Sequence, residues 1–413
     1  MSKHAFIETE LGLLPDDWQI VKLGEIGSFY KGAGISREDS HSGSIPAVRY
    51  GEIYTTHDNY IFKCTSFISP LIAKQSRRIH KGYILFTGSG ETKEDIGKAV
   101  AFVDDYEAYA GGDIIILSPK KAYDPLYLGF FLNSSPVIRQ RASLAQGDSV
   151  VHITAEALKE IRLALPPIKE EQTRIASALF DIDTLIRDLD RTIEKKQNIK
   201  LGAMQELLTS KKRLKGFTEE WKEKSLEEMG FLTAGGTPST MNPEYWGGDI
   251  NWLQSGAVQN CLIMPDAVEK KITEAGLQNS SAYLIRSNSV LIAITGATCA
   301  NVGYLTFESA ANQSVVSVEP YEDYDAMFLY QKLLTEKNTI LSNKGGSAQS
   351  GVTLKALKQL TILVPPSIQE QRAIADLLTA MDDEIAMLQL ERTKYANIRS
   401  GMMDDLLSGT KRL

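Results

Sequence analysis

The chain has 413 residues, 43% of them hydrophobic, with a formal net charge of −7. That length allows two or more buried cores, and the acidic balance argues against a simple basic nucleic-acid binder. No apolar run reaches membrane-spanning length, so a soluble, cytoplasmic protein with no membrane contact is expected; Cys64, Cys261 and Cys299, isolated and without C-x-x-C spacing, argue against disulfides and zinc.

From the first residue, short β-branched and aromatic runs bounded by Gly, Pro, Asp and Ser predict strands. They are Trp18 to Gly24, Ile45 to Gly51, Gly82 to Gly90, Lys98 to Val103 and Asp113 to Pro119. A Gly-rich stretch, Lys31-Gly-Ala-Gly-Ile-Ser-Arg, follows the first run, and helices are expected over Leu126 to Arg141 and Thr154 to Leu163. Between Lys63 and Lys98 stand seven basic residues (Lys63, Lys74, Arg77, Arg78, Lys81, Lys93, Lys98) against three acidic ones.

Next comes Pro166 to Leu214, which recurs as Pro365 to Leu413 at an offset of 199 residues without a gap, identical at about two positions in five. Both copies open on Pro-Pro, carry Glu-Gln (Glu171-Gln172, Glu370-Gln371) and close on Lys-Arg-Leu. An internal repeat of this kind takes precedence over any single motif. Apolar residues fall at Ile175, Leu179, Ile182, Ile186, Leu189 and Ile193, and again at Ile374, Leu378, Met381, Ile385 and Leu388. The alternating steps of four and three predict coiled-coil seams. A helix from Gln172 to Leu208 would span roughly 55 Å, and two such seams in one chain most simply bury each other. Pro167 and Pro366 suit helix starts, Ser367 and Glu370 spell a capping box, and Gly409 suits a helix end where the first copy has Ser210.

Residues 215–364 echo the first 165 in order but with far lower identity. Trp221 answers Trp18, Ala234-Gly-Gly-Thr-Pro-Ser answers the Gly-rich stretch, and Ile250 to Gly256 answers Ile45 to Gly51. Val290 to Gly296, Ser314 to Pro320, Thr353 and Leu357 complete the correspondence. The expected fold is α+β with an internal pseudo-two-fold repeat. Two mixed α/β globular heads (1–165 and 215–364) alternate with two long helices (166–214 and 365–413) packed as an antiparallel coiled coil. Alike helices beside divergent heads imply one shared geometry serving two different recognition tasks.

No catalytic motif is complete. Asn242-Pro-Glu-Tyr lacks the second proline of an adenine-methylase motif, and Gly90 to Ala99 has the wrong spacing for a phosphate loop. His4, His41, His57, His80 and His152 are scattered, with no metal-ligand pair among them.

The helical opening, Pro167-Ile-Lys-Glu-Glu-Gln-Thr-Arg-Ile-Ala and Pro366-Ser-Ile-Gln-Glu-Gln-Arg-Ala-Ile-Ala, resembles the DNA-specificity (S) subunit of type I restriction–modification systems. Gly235-Gly-Thr-Pro-Ser, Glu244 to Trp252 and the duplicated plan strengthen the likeness, which covers nearly the whole chain. The resemblance implies that each head is a target-recognition domain for one half of a split double-stranded DNA site. It also implies a non-catalytic chain without its own cofactor. Methylation (M) subunits, expected to number two, would use S-adenosylmethionine, and restriction (R) subunits, where the system has them, would use ATP and Mg. The helices would set the spacer and dock the partners.

On that footing the DNA-contacting candidates are Lys31, Arg37, Arg49, Arg77, Arg78 and Lys93 in the first head. In the second they are Thr237, Ser239, Gln254, Asn260, Thr298 and Asn301. These are side-chain types that reach base edges or phosphates. The loop glycines are expected to serve turns, and Trp18, Trp221, Trp246 and Trp252 to serve packing. A tandem coiled-coil protein–protein adaptor is the alternative that composition allows.

Overall fold

The computed structural model describes residues 5–121, 123–147, 150–342 and 351–413. The chain divides into two compact units, 1–190 with 390–413, and 191–389.

In the first unit a five-stranded sheet runs in the order Gly27–Lys31, Ile114–Pro119, Ile84–Thr87, Ala99–Phe102, Tyr60–Ile61. Its pairs are antiparallel except the last, which is parallel. The central strands are buried on both faces, which is why they read as unbroken apolar runs rather than alternating ones. One face packs Ile84, Phe86 and Leu117 against Tyr127, Phe130 and the start of the first long helix. The other gathers Leu85, Val100, Phe102 and Ile116 with Val48, Ile79 and Ala108 of a second sheet. That four-stranded sheet runs Ser66–Ile68, Ile45–Val48, Ala108–Ala110, Arg77–Ile79. The head is tied shut where Gln19–Lys22 pairs with Arg162–Leu165.

The second unit repeats the plan strand for strand: Gly230–Ala234, Val315–Pro320, Ser289–Ala293, Val302–Leu305, Cys261–Ile263. Its closing pair is Lys222–Ser225 with Thr361–Val364. The second sheet differs. It has three strands, Lys270–Ile272, Trp246–Leu253 and Ala310–Ala311, and where the first head has the edge strand Arg77–Ile79 it has a single antiparallel bridge, Ile285 with Ser309.

The expected helix Leu126 to Arg141 is two helices, Pro125–Phe131 and Ser135–Leu144. Pro136 has no N–H to bond the Leu132 carbonyl and is tolerated only in a first turn, so the first helix stops and a second starts with Ser134 as its cap. The segment expected as a helix from Thr154 is a single turn, Ala155–Lys159, and Arg162 onward is strand. Thr154 and its repeat-mate Thr353 cap the same turn, each accepting an N–H at 3.1 Å from Ala157 and Ala356.

The long helices span Lys169–Leu207 and Ile368–Leu407. Within the first unit Arg399 pairs with Asp183, and Arg392 with Asp190 at 3.0 Å. Within the second, Lys196 meets Glu384 at 2.6 Å and Lys200 meets Asp382 at 2.5 Å. Numbers rise along one helix as they fall along the other, so the pairing is an antiparallel coiled coil. Ile182, Ile186, Ile193 and Ile385 are buried in it, while Leu189, Met381 and Leu388 are half-buried. The outer seam positions do a different job. Ile175 and Leu179 enter the first head's core together with Leu406 and Leu407, and Ile374 and Leu378 enter the second's with Leu207 and Leu208.

The repeated Glu-Gln and Lys-Arg-Leu motifs meet crosswise. Arg412, from the second copy, donates to Glu171 of the first at 2.8 and 2.6 Å. Arg213, from the first copy, donates to Glu370 of the second at 2.6 and 2.7 Å. Both glutamates are essentially fully buried, so each needs this bidentate partner. Gln172 and Gln371 accept the N–H groups of Asp124 and Asp325 and donate to the carbonyls of Pro166 and Pro365. Only half of the expected capping box forms: Ser367 accepts the Glu370 N–H at 3.4 Å, while the Glu370 carboxylate is held by Arg213 and the Trp221 indole.

Candidate nucleic-acid interface

In each head several loops meet at one end of the five-stranded sheet. In the first, the Gly32 N–H donates to Ile114 O, Gly112 N–H to Gly34 O and Gly88 N–H to Asp113 O, each at 2.8 Å. The second head repeats this with Gly235 to Val315 at 2.9 Å and Gly236 to Ala311 at 2.8 Å. The glycines are there for close approach more than for turn conformation. A Cβ on Gly32 would stand 1.9 Å from the Gly111 carbonyl oxygen, and one on Gly235 would stand 2.2 Å from that of Ala311.

Lys31 ends the edge strand, exposed, and Arg77 lies beside it. The Arg77 Nε donates to Lys31 O at 3.4 Å, and its guanidinium lies 5.9 Å from the centre of the Tyr30 ring. Arg78 is exposed and paired to Glu107 at 3.3 Å. Together Tyr30, Ser76, Arg77, Arg78, Tyr83 and Ile116 line a cleft of about 350 Å³. Arg37 is exposed on a short turn with Glu38 and Asp39. Lys93 sits on a separate exposed loop among Glu91, Glu94 and Asp95. Arg49 is turned to internal work: its Nε donates to Ser66 at 3.2 Å and its Nη2 lies 3.7 Å from the buried Glu52.

In the second head Thr237, Ser239 and Gln254 are exposed. Thr237 donates to Gln313 at 2.5 Å, and Gln254 has no side-chain partner among the described hydrogen bonds. The side chains of Asn260 and Asn301 instead hold the fold, and Thr298 does so through its backbone. Asn260 accepts the Val302 N–H at 2.9 Å, buried Asn301 accepts from Lys337 at 3.2 Å, and the Thr298 carbonyl accepts the Asn301 N–H at 2.8 Å.

Sequence reasoning missed Tyr30 and Gln313. An exposed aromatic beside two arginines signals the first, and alignment of Ala311-Asn-Gln-Ser with Ala110-Gly-Gly-Asp signals the second. It also missed Arg141, which is buried and donates to Gly97 O at 2.5 Å, fixing the end of the loop that carries Lys93. Burial pushes its guanidinium down to about 10. Trp18, Trp221 and Trp252 are core residues, and Trp246 packs edge-on to Trp252 at 5.0 Å. Asn242 caps a short turn by accepting the Glu244 N–H at 3.1 Å, and the three cysteines are unpaired thiols. His4 lies outside the described residues; among those described there is no group of three metal-ligating side chains and no helix long and apolar enough to cross a membrane.

The type I restriction modification DNA specificity domain matches residues 15–200 and, a second time, residues 218–398. The chain belongs to that family. The adaptor alternative is therefore not favoured. The chain is 27% identical to the EcoR124I/EcoR124II type I restriction enzyme specificity subunit of Escherichia coli, over 92% of this chain and 90% of that one. It is 22% identical to the MjaVIII specificity subunit of Methanocaldococcus jannaschii, over 97% and 94%. The crystal structure of a type I S subunit from M. genitalium superposes with a TM-score of 0.62 at 16% identity, covering 94% of this chain and 96% of that chain. That likeness shows a shared fold. In the family's terms the chain carries two specificity domains.

Proposed function

We propose that this chain is the non-catalytic, DNA-reading subunit of a type I restriction–modification complex. Each head reads one half of a bipartite, asymmetric double-stranded site. The exposed candidates Lys31, Arg37, Arg77, Arg78, Lys93, Thr237, Ser239 and Gln254 face DNA, and Arg49, Asn260, Thr298 and Asn301 hold the loops behind them. The paired helices fix the unread spacer, about one B-DNA turn of 34–36 Å being the natural unit, and dock two methylation subunits. Adenine methylation, with S-adenosylmethionine and base flipping, takes place in those partners. ATP and Mg are used by restriction subunits that join through the complex.

One observation carries this reading. The residues that lock helices to heads, Glu171, Gln172 and Arg412 against Glu370, Gln371 and Arg213, are identical in the two copies, whereas the exposed side chains at the sheet ends differ, Lys31, Arg77 and Arg78 in one head and Thr237, Ser239 and Gln254 in the other. A common scaffold with two unlike readers suits a non-palindromic site. The test is genome-wide mapping of methylated adenine with and without the gene, then with residues 215–364 exchanged for another head. The bipartite motif should vanish in the first case and change in one half only in the second. A motif that survives deletion, or changes in both halves, refutes the assignment.

A further inference from the structure

This inference rests on the DNA-reading function and names what each head reads. In both heads a strand of the second sheet pairs in parallel with a short partner, Val48 opposite Ala110 and Leu253 opposite Ala311. The next residue is Arg49 in the first head and Gln254 in the second, at the same place in the fold. Arg49 is spent on Ser66 and buried Glu52, whereas Gln254 is exposed with both ends of its amide unengaged among the described hydrogen bonds.

The first head has instead a full edge strand, Arg77–Ile79, where the second has only the bridge of Ile285 with Ser309. Arg77 is exposed, but its orientation is set. The Tyr30 ring lies against the guanidinium and Nε is bonded to Lys31 O. Its two terminal nitrogens have no partner among the described contacts. An arginine held this way presents two parallel donors, the complement of O6 and N7 of guanine in the major groove. A free glutamine amide presents one donor and one acceptor, the complement of N7 and the N6 amino group of adenine. The surroundings agree in chemistry. Gly235 to Ser239, Thr295 to Asn301 and Asn312 to Ser314 contain no charged residue, while the first head's rim carries Lys31, Arg37, Arg77 and Arg78.

We propose that the first head reads a guanine through Arg77 and the second reads an adenine through Gln254. The test uses the full chain assembled with its methylation subunits, on duplexes carrying the mapped site, with each half assigned by the head exchange above. Each guanine, and each adenine other than the methylated one, is replaced singly by its 7-deaza analogue, which removes the N7 acceptor. In the first head's half, one 7-deazaguanine should weaken binding on the order of ten-fold, and Arg77→Ala should abolish that sensitivity. In the second head's half, one 7-deazaadenine and Gln254→Ala should show the same relation. Sensitivity that persists in the two variants, or that falls in the opposite halves, overturns the proposal. If no half-site follows the chain at all, the failure belongs to the DNA-reading function itself.

Discussion

Ser210 and Gly409 occupy the same turn at the ends of the two long helices, and both adopt the left-handed conformation, at φ 58° and 70°. The following N–H groups of Lys212 and Lys411 reach back to Glu206 and Asp405 at 3.1 Å, closing both helices alike. A non-glycine residue is strained there, so Ser210→Gly should stabilise the chain by about 0.5–1 kcal/mol, read as a higher urea midpoint. Gly409→Ala should do the reverse, because its Cβ would stand 2.6 Å from Pro15. Equal midpoints for all three proteins would refute the account. The crossed ion pairs make a larger prediction: Arg213→Ala leaves the buried Glu370 carboxylate without its guanidinium and should cost about 3–5 kcal/mol. The double variant Arg213→Met with Glu370→Leu should lose less than Arg213→Ala alone, since neither buried charge remains. A single variant as stable as the parent would mean that Glu370 is not the buried, paired group described.

At the scale of the helix, the seam has two kinds of position that a heptad count treats as one. Leu378 is fully buried in the second head's core, so Leu378→Ala should cost about 2–5 kcal/mol. Met387, on the same helix but exposed, should tolerate alanine within about 0.5 kcal/mol. Thermal unfolding of the two variants decides it, and similar losses would place both in one continuous seam. The periodicity showed a helix and a face. It could not show which turns of that face a globular head would claim, because a head's apolar core and a partner helix attract the same side chains. The broken helix at Leu132 to Ser134 is of a different kind: its cause, Pro136, stands in the sequence, and a proline without an N–H fits a helix only in its first turn.

For the whole molecule the charge is the constraint. Residues 215–364 hold 11 basic and 16 acidic residues, and Arg49 and Arg213 are spent on buried carboxylates. Little cationic surplus remains to neutralise phosphates, which supply most non-specific DNA affinity. The isolated chain should therefore bind its site weakly and with a shallow dependence on salt, and the assembly with methylation subunits should bind tightly with a steep one. Titrations across a salt series compare the two, and equal slopes and affinities would contradict the division of labour.

The sequence alone determined the duplication, the helices, the strand runs, the glycines and the family. Each of these is written in local period or in identity between the copies, and neither needs distant contacts to be seen. Only the tertiary structure decided that Arg213 and Arg412 answer Glu370 and Glu171 across the repeats. It also engaged Arg49, Asn260 and Asn301 within the heads, while among the described contacts the terminal nitrogens of Arg77 and the amide of Gln254 have no partner. Those outcomes depend on which polar groups are brought together out of water, far apart in the chain, and a buried carboxylate or amide takes the nearest donor that the fold supplies.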